Sequence, residues 1–266
     1  MPILSTLTRR SALALAAVLT FAPLAQAEET TLKVGIMGGE DETVWAAVAQ
    51  EAKPLGLTIE TVIFNDYTQP NEALSRGEID ANAFQHLPYL EAQIKAYDYK
   101  ITPVIDTAIF PIGLYSKKHK DLASLPDGAL IGVPNDPSNG GRALKVLEQL
   151  GLIKLDPKAG ILATVIDVTD NPHKFDLREL DAGVVGRAID DLDAAVVNTD
   201  WAAKAGLLDH RIAQESRENN PYTNFIAART ADTDAAWVAK LKQAFQNDAV
   251  KDAYATAYKG AAVTAW

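Results

Sequence analysis

Short β-branched segments alternating with helical patterns, joined by few residues, restrict this chain to an α/β architecture. Thr31–Met37 (TLKVGIM) reads as a strand closing on Gly38-Gly39, and a helical pattern follows to about Lys53. Thr58–Phe64 (TIETVIF) alternates and is β-branched, a second strand. Pro70 to Gly77 has proline near its start and glycine at its end, the asymmetry of a short helix. Ile79–Phe84 then predicts a strand and Leu87–Tyr97 a helix. Such alternation calls for a mixed, mostly parallel sheet with helices on both faces.

The pattern restarts after Lys117-Lys118, with a strand at Ala129–Pro134 and a helix at Ser138–Leu150 closed by Gly151. Strands are predicted at Leu162–Val168, Ala194–Asn198 and Tyr222–Ala228, and helices at about Asp234–Phe245 and Asp248–Tyr258. RGEIDANAF and DDLDAAVVN echo each other at matching places in the two halves, which suggests two similar lobes. Phe110–Ser116 and Asn220–Ala228 are placed to cross between them, returning the last helices to the first lobe. The expected division is 28–114 with 226–266 as lobe 1 and 115–225 as lobe 2. At 266 residues the chain has ample material for the cores this needs.

Residues 1–27 read differently. Arg9-Arg10 precede a modest apolar run that ends at Ala25-Gln26-Ala27, small-x-small before Glu28-Glu29. That is the pattern of a secretory signal peptide cleaved after Ala27, and Pro23 interrupts the run too early for a spanning helix. The expected product is soluble and exported. Losing two arginines makes a formal net charge of −10 still more negative, which repels phosphate backbones and argues against nucleic acid and anionic lipid as partners. There is no cysteine, so disulfides, thiolate metal sites, cysteine nucleophiles and a cysteine-linked lipid anchor are excluded.

The four histidines, His86, His119, His173 and His210, make no pair at i, i+3 or i, i+4, so no metal site is expected. No GxSxG elbow, P-loop or GxGxxG follows a strand, and no catalytic residue is assigned. Ligands of open α/β sheets sit beyond the carboxyl ends of strands, and three clusters fall there. In ANAFQHLPYL, helical phase puts Leu87, Leu90, Ile94 and Tyr97 on one face and frees Tyr89 for a cleft. Phe84 capping the core and His86 as an ordinary loop residue is the competing account. In VPNDPSNGGR, a helix beginning near Ser138 offers free N–H groups to an anion, and Arg142 nearby has the planar fork for a carboxylate. A solvated surface arginine fits as well. Asn198 and Asn224 have the donors and acceptors for an ammonium and a carboxylate, or simply cap turns. Together the clusters suit a zwitterion with an apolar side chain. The alternatives are a binding protein for another small apolar amino acid or related compound, an enzyme acting on an amino-acid-like substrate in the same cleft, or an adhesin-like surface protein.

FNDYTQPNEALSRGEIDANAFQHLPYL, VPNDPSNGGRAL, GLIKL, VVNT, PYTNFI and GAAVTAW, in order from about Leu32 to Trp266, resemble the MetQ/NlpA-type substrate-binding proteins of methionine ABC importers. The resemblance implies a two-lobed, type II periplasmic-binding-protein fold, α/β in each lobe, with the ligand in the inter-lobe cleft. It implies capture of methionine (L and possibly D) by a periplasmic monomer without cofactor, for delivery to an importer's permease and its ATPase. Carried onto matching positions, Tyr67, Phe84, His86 and Tyr89 would surround the side chain. Arg142 would take the carboxylate, Asn198 and Asn224 the amino and carboxylate groups, and Asn139 would join them. Many members carry a lipid-bearing cysteine after the leader. Here that place reads Ala25-Gln26-Ala27-Glu28, so no lipid anchor is expected.

Overall fold

The alternating segments pair in space as two sheets. The computed structural model describes residues 29–266, so the leader expected at 1–27 lies outside the described residues. In chain order the elements are β1 (Thr30–Met37), α1 (Glu40–Ala52), β2 (Leu57–Phe64), α2 (Gln69–Ser75), β3 (Ala81–His86), α3 (Leu87–Tyr97), β4 (Ile101–Ile109), β5 (Gly113–Tyr115) and β6 (Leu130–Pro134). There follow α4 (Pro137–Gln149), β7 (Lys154–Leu155), β8 (Val168–Asp170), β9 (Asp176–Leu180), α5 (Ala182–Val185), β10 (Ala194–Val197), α6 (Thr199–Lys204) and β11 (Arg211–Gln214). The chain ends with β12 (Thr223–Arg229), α7 (Ala236–Phe245), α8 (Asp248–Ala257) and β13 (Val263–Thr264).

Lobe 1 holds a sheet in the order β13-β4-β12-β3-β1-β2 and lobe 2 one in the order β11-β5-β10-β6-β9. Both are mixed. β2, β1 and β3 pair in parallel, as do β9, β6 and β10, because helical crossovers join parallel neighbours. Each sheet also receives the strand that arrives directly from the other lobe. β5 enters between β10 and β11, and β12 between β3 and β4, each antiparallel to both neighbours. Gly113 and Leu114 therefore pair in the second sheet and Thr223–Phe225 in the first. Sheet membership puts the crossings at 110–112 and 215–222, two and three residues before the limits of 114 and 225 expected from sequence. The crossings touch, since the Glu215 N–H donates to the Ile112 carbonyl at 3.0 Å.

α1, α7 and α8 cover one face of the first sheet through Val44, Trp45, Val48, Leu241, Phe245 and Tyr254, with the Trp45 and Phe245 rings 5.5 Å apart. Lobe 2 builds its own core from β6, β10 and the Ala143, Leu144 and Leu147 face of α4. A third cluster belongs to both lobes: Phe84 and Tyr89 from one pack with Val185, Val197 and Trp201 from the other. Fully burying one such side chain contributes roughly 1.5–3 kcal/mol, so apolar contact holds the lobes together as well as folding each of them.

Two expectations fail. The strand at Leu162–Val168 is instead two 3₁₀ turns, Gly160–Leu162 and Val165–Asp167, with β8 beginning only at Val168. The Asp167 carboxylate accepts from both the N–H and the hydroxyl of Thr164, at 2.7 and 2.8 Å, a local cap that outcompetes extended pairing. Ile166 is 90% exposed, so it buries nothing against a sheet. On α3 the predicted core face is only partly buried: Leu90 is in the core, but Leu87 and Tyr97 are exposed. The helix packs through its first turn, where Pro88, Tyr89 and Leu90 are buried, and Tyr97 stacks on Tyr99 at the surface.

Candidate functional site: a cleft between the lobes

All six residues of β3 are buried, so each polar side chain on it needs a partner. Asn82 and Gln85 find one in Asn71, through amide bonds of 2.7–2.9 Å. The strand is irregular where the site begins. Against β12, Phe225 faces Gln85 and Ile226 faces Ala83, leaving Phe84 as the extra residue of a bulge. Bulges re-aim side chains and strand a carbonyl. Here Asn224, opposite His86 in register, donates from Nδ2 to the Phe84 carbonyl at 3.2 Å. Asn224 thus holds the bulge that turns Phe84 into the cleft.

The cleft's apolar end is a box of rings. Tyr67, Phe84 and Tyr89 lie 5.7–5.9 Å apart in pairs, and Trp201 of lobe 2 closes on Tyr67 at 5.6 Å. Tyr89 is 4% exposed and donates its hydroxyl to the Tyr67 carbonyl at 2.8 Å. The Tyr67 hydroxyl donates across the cleft to Asp200. Burial, then the Asp200 carboxylate, holds the Tyr67 hydroxyl well above its ordinary pKa, so it stays a donor. Burial likewise raises Asp200.

His86 is not a loop residue: it is the buried last residue of β3 and lines the cleft. It is the N-cap of α3, with Nδ1 accepting from the Tyr89 N–H at 3.3 Å. An accepting Nδ1 leaves the proton on Nε2, which faces Asn139 Oδ1 across the cleft at 3.2 Å. Burial, and then the nearby Arg142 charge, pushes the imidazole down to about 3, so it is neutral at any physiological pH.

The polar end comes from lobe 2. The start of α4 was expected to offer free N–H groups to an anion, but the chain's own Asp136 caps it, accepting from the Asn139 N–H at 2.9 Å. Asn139 is consumed as a connector. Its Nδ2 donates to Asp136, and its Oδ1 accepts from Asn198 Nδ2 at 2.8 Å besides facing His86. Asn198 Oδ1 is buried with no partner among the described residues. Arg142 is 2% exposed, not a surface arginine. Its anion partner is Glu215 on the crossing, which accepts from Nη2 at 2.6 Å and Nε at 3.0 Å. Nη2 also donates to the Phe110 carbonyl at 2.8 Å, and the Tyr222 ring lies 4.1 Å from the guanidinium. Nη1 alone has no hydrogen bond among the described residues.

All eight sequence-predicted residues, Tyr67, Phe84, His86, Tyr89, Asn139, Arg142, Asn198 and Asn224, line one cavity between the lobes. Asp41, Trp45, Thr107, Asp200, Tyr254 and Tyr258 line it too and were not foreseen. Asp200 and Trp201 follow Asn198 beyond the end of β10, so the strand-end rule that found Asn198 reaches them as well. Glu215 and Tyr222 have no such signal, because only the crossing brings them under Arg142. Among the described residues no group of three or more His, Asp or Glu is arranged to hold a metal.

Comparison with known proteins bears on the family and the fold. A family model described as NlpA lipoprotein matches residues 32–266. The D-methionine-binding lipoprotein MetQ of Escherichia coli (strain K12) is 45% identical over 240 residues, 88% of either chain. Among solved structures, a nutrient binding protein from Burkholderia cenocepacia bound to methionine superposes with a TM-score of 0.86 at 47% identity, covering 88% of this chain and all of that one. An ABC transporter periplasmic substrate-binding protein from Coxiella burnetii gives 0.84 at 40% identity, again over 88% of this chain and all of that one. With a family match over nearly every described residue and a shared two-lobed fold, the chain belongs to the NlpA lipoprotein family.

Proposed function

We propose that the chain is a binding protein that captures methionine between its lobes and hands it to an ABC importer, without turning it over. The observation that carries this is one cavity with opposite ends. One end is the three rings of Tyr67, Phe84 and Tyr89, onto which a thioether packs favourably, with Trp201 packed against Tyr67. The other has a spare guanidinium nitrogen and a buried, unpartnered amide oxygen. In this reading Tyr67, Phe84, His86 and Tyr89 surround the side chain. Arg142 Nη1 takes the carboxylate, and Asn198 and Asn224 hold the amino and carboxylate groups. Asn139 acts by fixing Asn198 and His86. The names of the relatives support the ligand and the transporter partner.

The protein would act in the periplasm once residues 1–27 are removed, as a monomer. Its relatives are named lipoproteins, but this chain has no cysteine to carry a thioether-linked lipid. No helix among the described residues is long and apolar enough to cross a membrane. The test is mass spectrometry of ligand released from purified, denatured protein, with thermal shifts in L- and D-methionine. A bound ligand stabilises by RT ln(1 + [L]/Kd), so saturating methionine raises the midpoint by several degrees. No shift with either enantiomer defeats the reading, and stoichiometric binding with no product on incubation supports it against an enzyme.

A further inference from the structure

An arginine offered to a carboxylate ligand ordinarily keeps its charge and its fork free. Arg142 has neither free. Two of its three nitrogens are held by Glu215, and both partners are buried, with 2% and 7% of their side chains exposed. The carboxylate cancels the guanidinium charge next to the cavity while leaving Nη1 as a directed donor. Every other fastening of the pair lies on a crossing. Glu215 Oε2 also accepts from Asn220 Nδ2 at 2.8 Å and faces the Ile112 N–H at 3.4 Å, and Arg142 reaches the Phe110 carbonyl. Among the described residues, the one other cationic candidate against the cavity, His86, is neutral.

We infer that Glu215 is a positioning and selectivity residue: it aims Arg142 Nη1 into the cleft and balances its charge, so that the site accepts a net-neutral zwitterion and discriminates against the corresponding anion. The inference rests on the methionine reading above. The physical reason is desolvation. An unbalanced buried guanidinium would favour any carboxylate that neutralised it, whereas a balanced one rewards only a ligand that brings its own compensating ammonium. Asn198 Oδ1, buried and unpartnered, is an acceptor available to that ammonium.

The test compares L-methionine with desaminomethionine, the same acid lacking the amino group, in the full-length mature protein by calorimetry. In Glu215→Gln the methionine Kd rises at least about tenfold while that of desaminomethionine rises less than threefold or falls, so the preference narrows (charge-pair truncations act on this scale). A merely structural role lowers both affinities alike. If Glu215→Gln does not fold, Glu215→Asp keeps the charge and withdraws its reach; methionine and desaminomethionine then lose at least about threefold while methioninol, which brings no carboxylate to Nη1, loses less, and an equal loss for all three overturns the inference. Unchanged affinities in either variant, or an unchanged preference in Glu215→Gln, overturns the inference alone. A wild-type protein that ignores methionine overturns the functional reading and this inference with it.

Discussion

The Tyr67 hydroxyl of lobe 1 donates to both carboxylate oxygens of Asp200 in lobe 2, at 2.7 and 2.6 Å, and so spans the cleft beside the aromatic box. This bond exists only when the lobes are together, and a hydrogen bond to a charged group is worth roughly 1.5–3 kcal/mol. Tyr67→Phe keeps the ring and deletes the bond. Methionine affinity should fall about tenfold or more, while lobe 1 alone loses nothing that would lower its packing. Calorimetry with small-angle scattering checks this: an unchanged affinity and an equally closed liganded form would refute the latch.

Arg142→Ala separates binding from stability. Removing the guanidinium leaves Glu215 buried and unpaired, which costs roughly 3–5 kcal/mol of stability, and deletes a charge-assisted bond to the ligand worth roughly 1.5–3 kcal/mol. Replacing both partners with methionine should restore most of the stability, as apolar substitutes for buried pairs do, without restoring affinity. Denaturant titration and calorimetry on the two variants give the answer. Affinity that survives in Arg142→Ala would sink the carboxylate assignment.

Asp41 gives a pH-dependent prediction. It sits in the first turn of α1 against the cavity, accepting from the Tyr258 hydroxyl at 2.7 Å. Burial is the main cause that pushes its carboxyl up to about 7. Between about pH 4 and 7 the folded state therefore keeps a proton that the unfolded chain, with an ordinary aspartate near 3.9, has released. Its contribution to stability is full below that window and is lost as the pH rises through it. Asp41→Asn keeps an acceptor for Tyr258 without the charge, so it should stabilise the protein at pH 8 by about 1–3 kcal/mol and by nothing at pH 4. Equal shifts at the two pH values, read by denaturant unfolding, would contradict the argument.

Gly141 makes a prediction whose sign is diagnostic. A glycine-to-alanine change inside a helix ordinarily gains about 0.5–1 kcal/mol. Here a Cβ would stand 2.5 Å from the Ile161 carbonyl oxygen and 2.9 Å from the Ala163 nitrogen, both backbone atoms that cannot swing aside. Gly141→Ala should therefore lower stability by roughly 1–3 kcal/mol and weaken methionine binding by shifting its neighbour Arg142. A gain in melting temperature would show that α4 does not press on the 160–163 segment.

Local chemistry made much of this site legible. Phe84, His86 and Tyr89 stand where a strand hands over to a helix, and Arg142 stands six residues past the Asp136 cap, so strand ends and helix starts marked them. The failures came where a pattern had two physical outcomes. TVID in the 164–167 stretch is β-branched like a strand, yet its threonine and aspartate close a turn on each other first. Leu87 and Tyr97 share a helical face with Leu90, but periodicity says only that they align, not that anything covers them.

The sequence by itself determined the alternating elements, the absence of thiol chemistry and the residue types gathered at the strand ends, because these follow from backbone preference and side-chain inventory within a few residues. Only the tertiary structure decided what those residues are to each other. The bulge at Phe84 is held by Asn224, 140 residues away, and the Arg142 charge is cancelled by Glu215, 73 residues away. Both bonds depend on the strands that cross between lobes. No local propensity encodes which carboxylate or amide a crossing will bring beneath a buried charge, since that is settled by chain topology and by the cost of leaving either group unpaired.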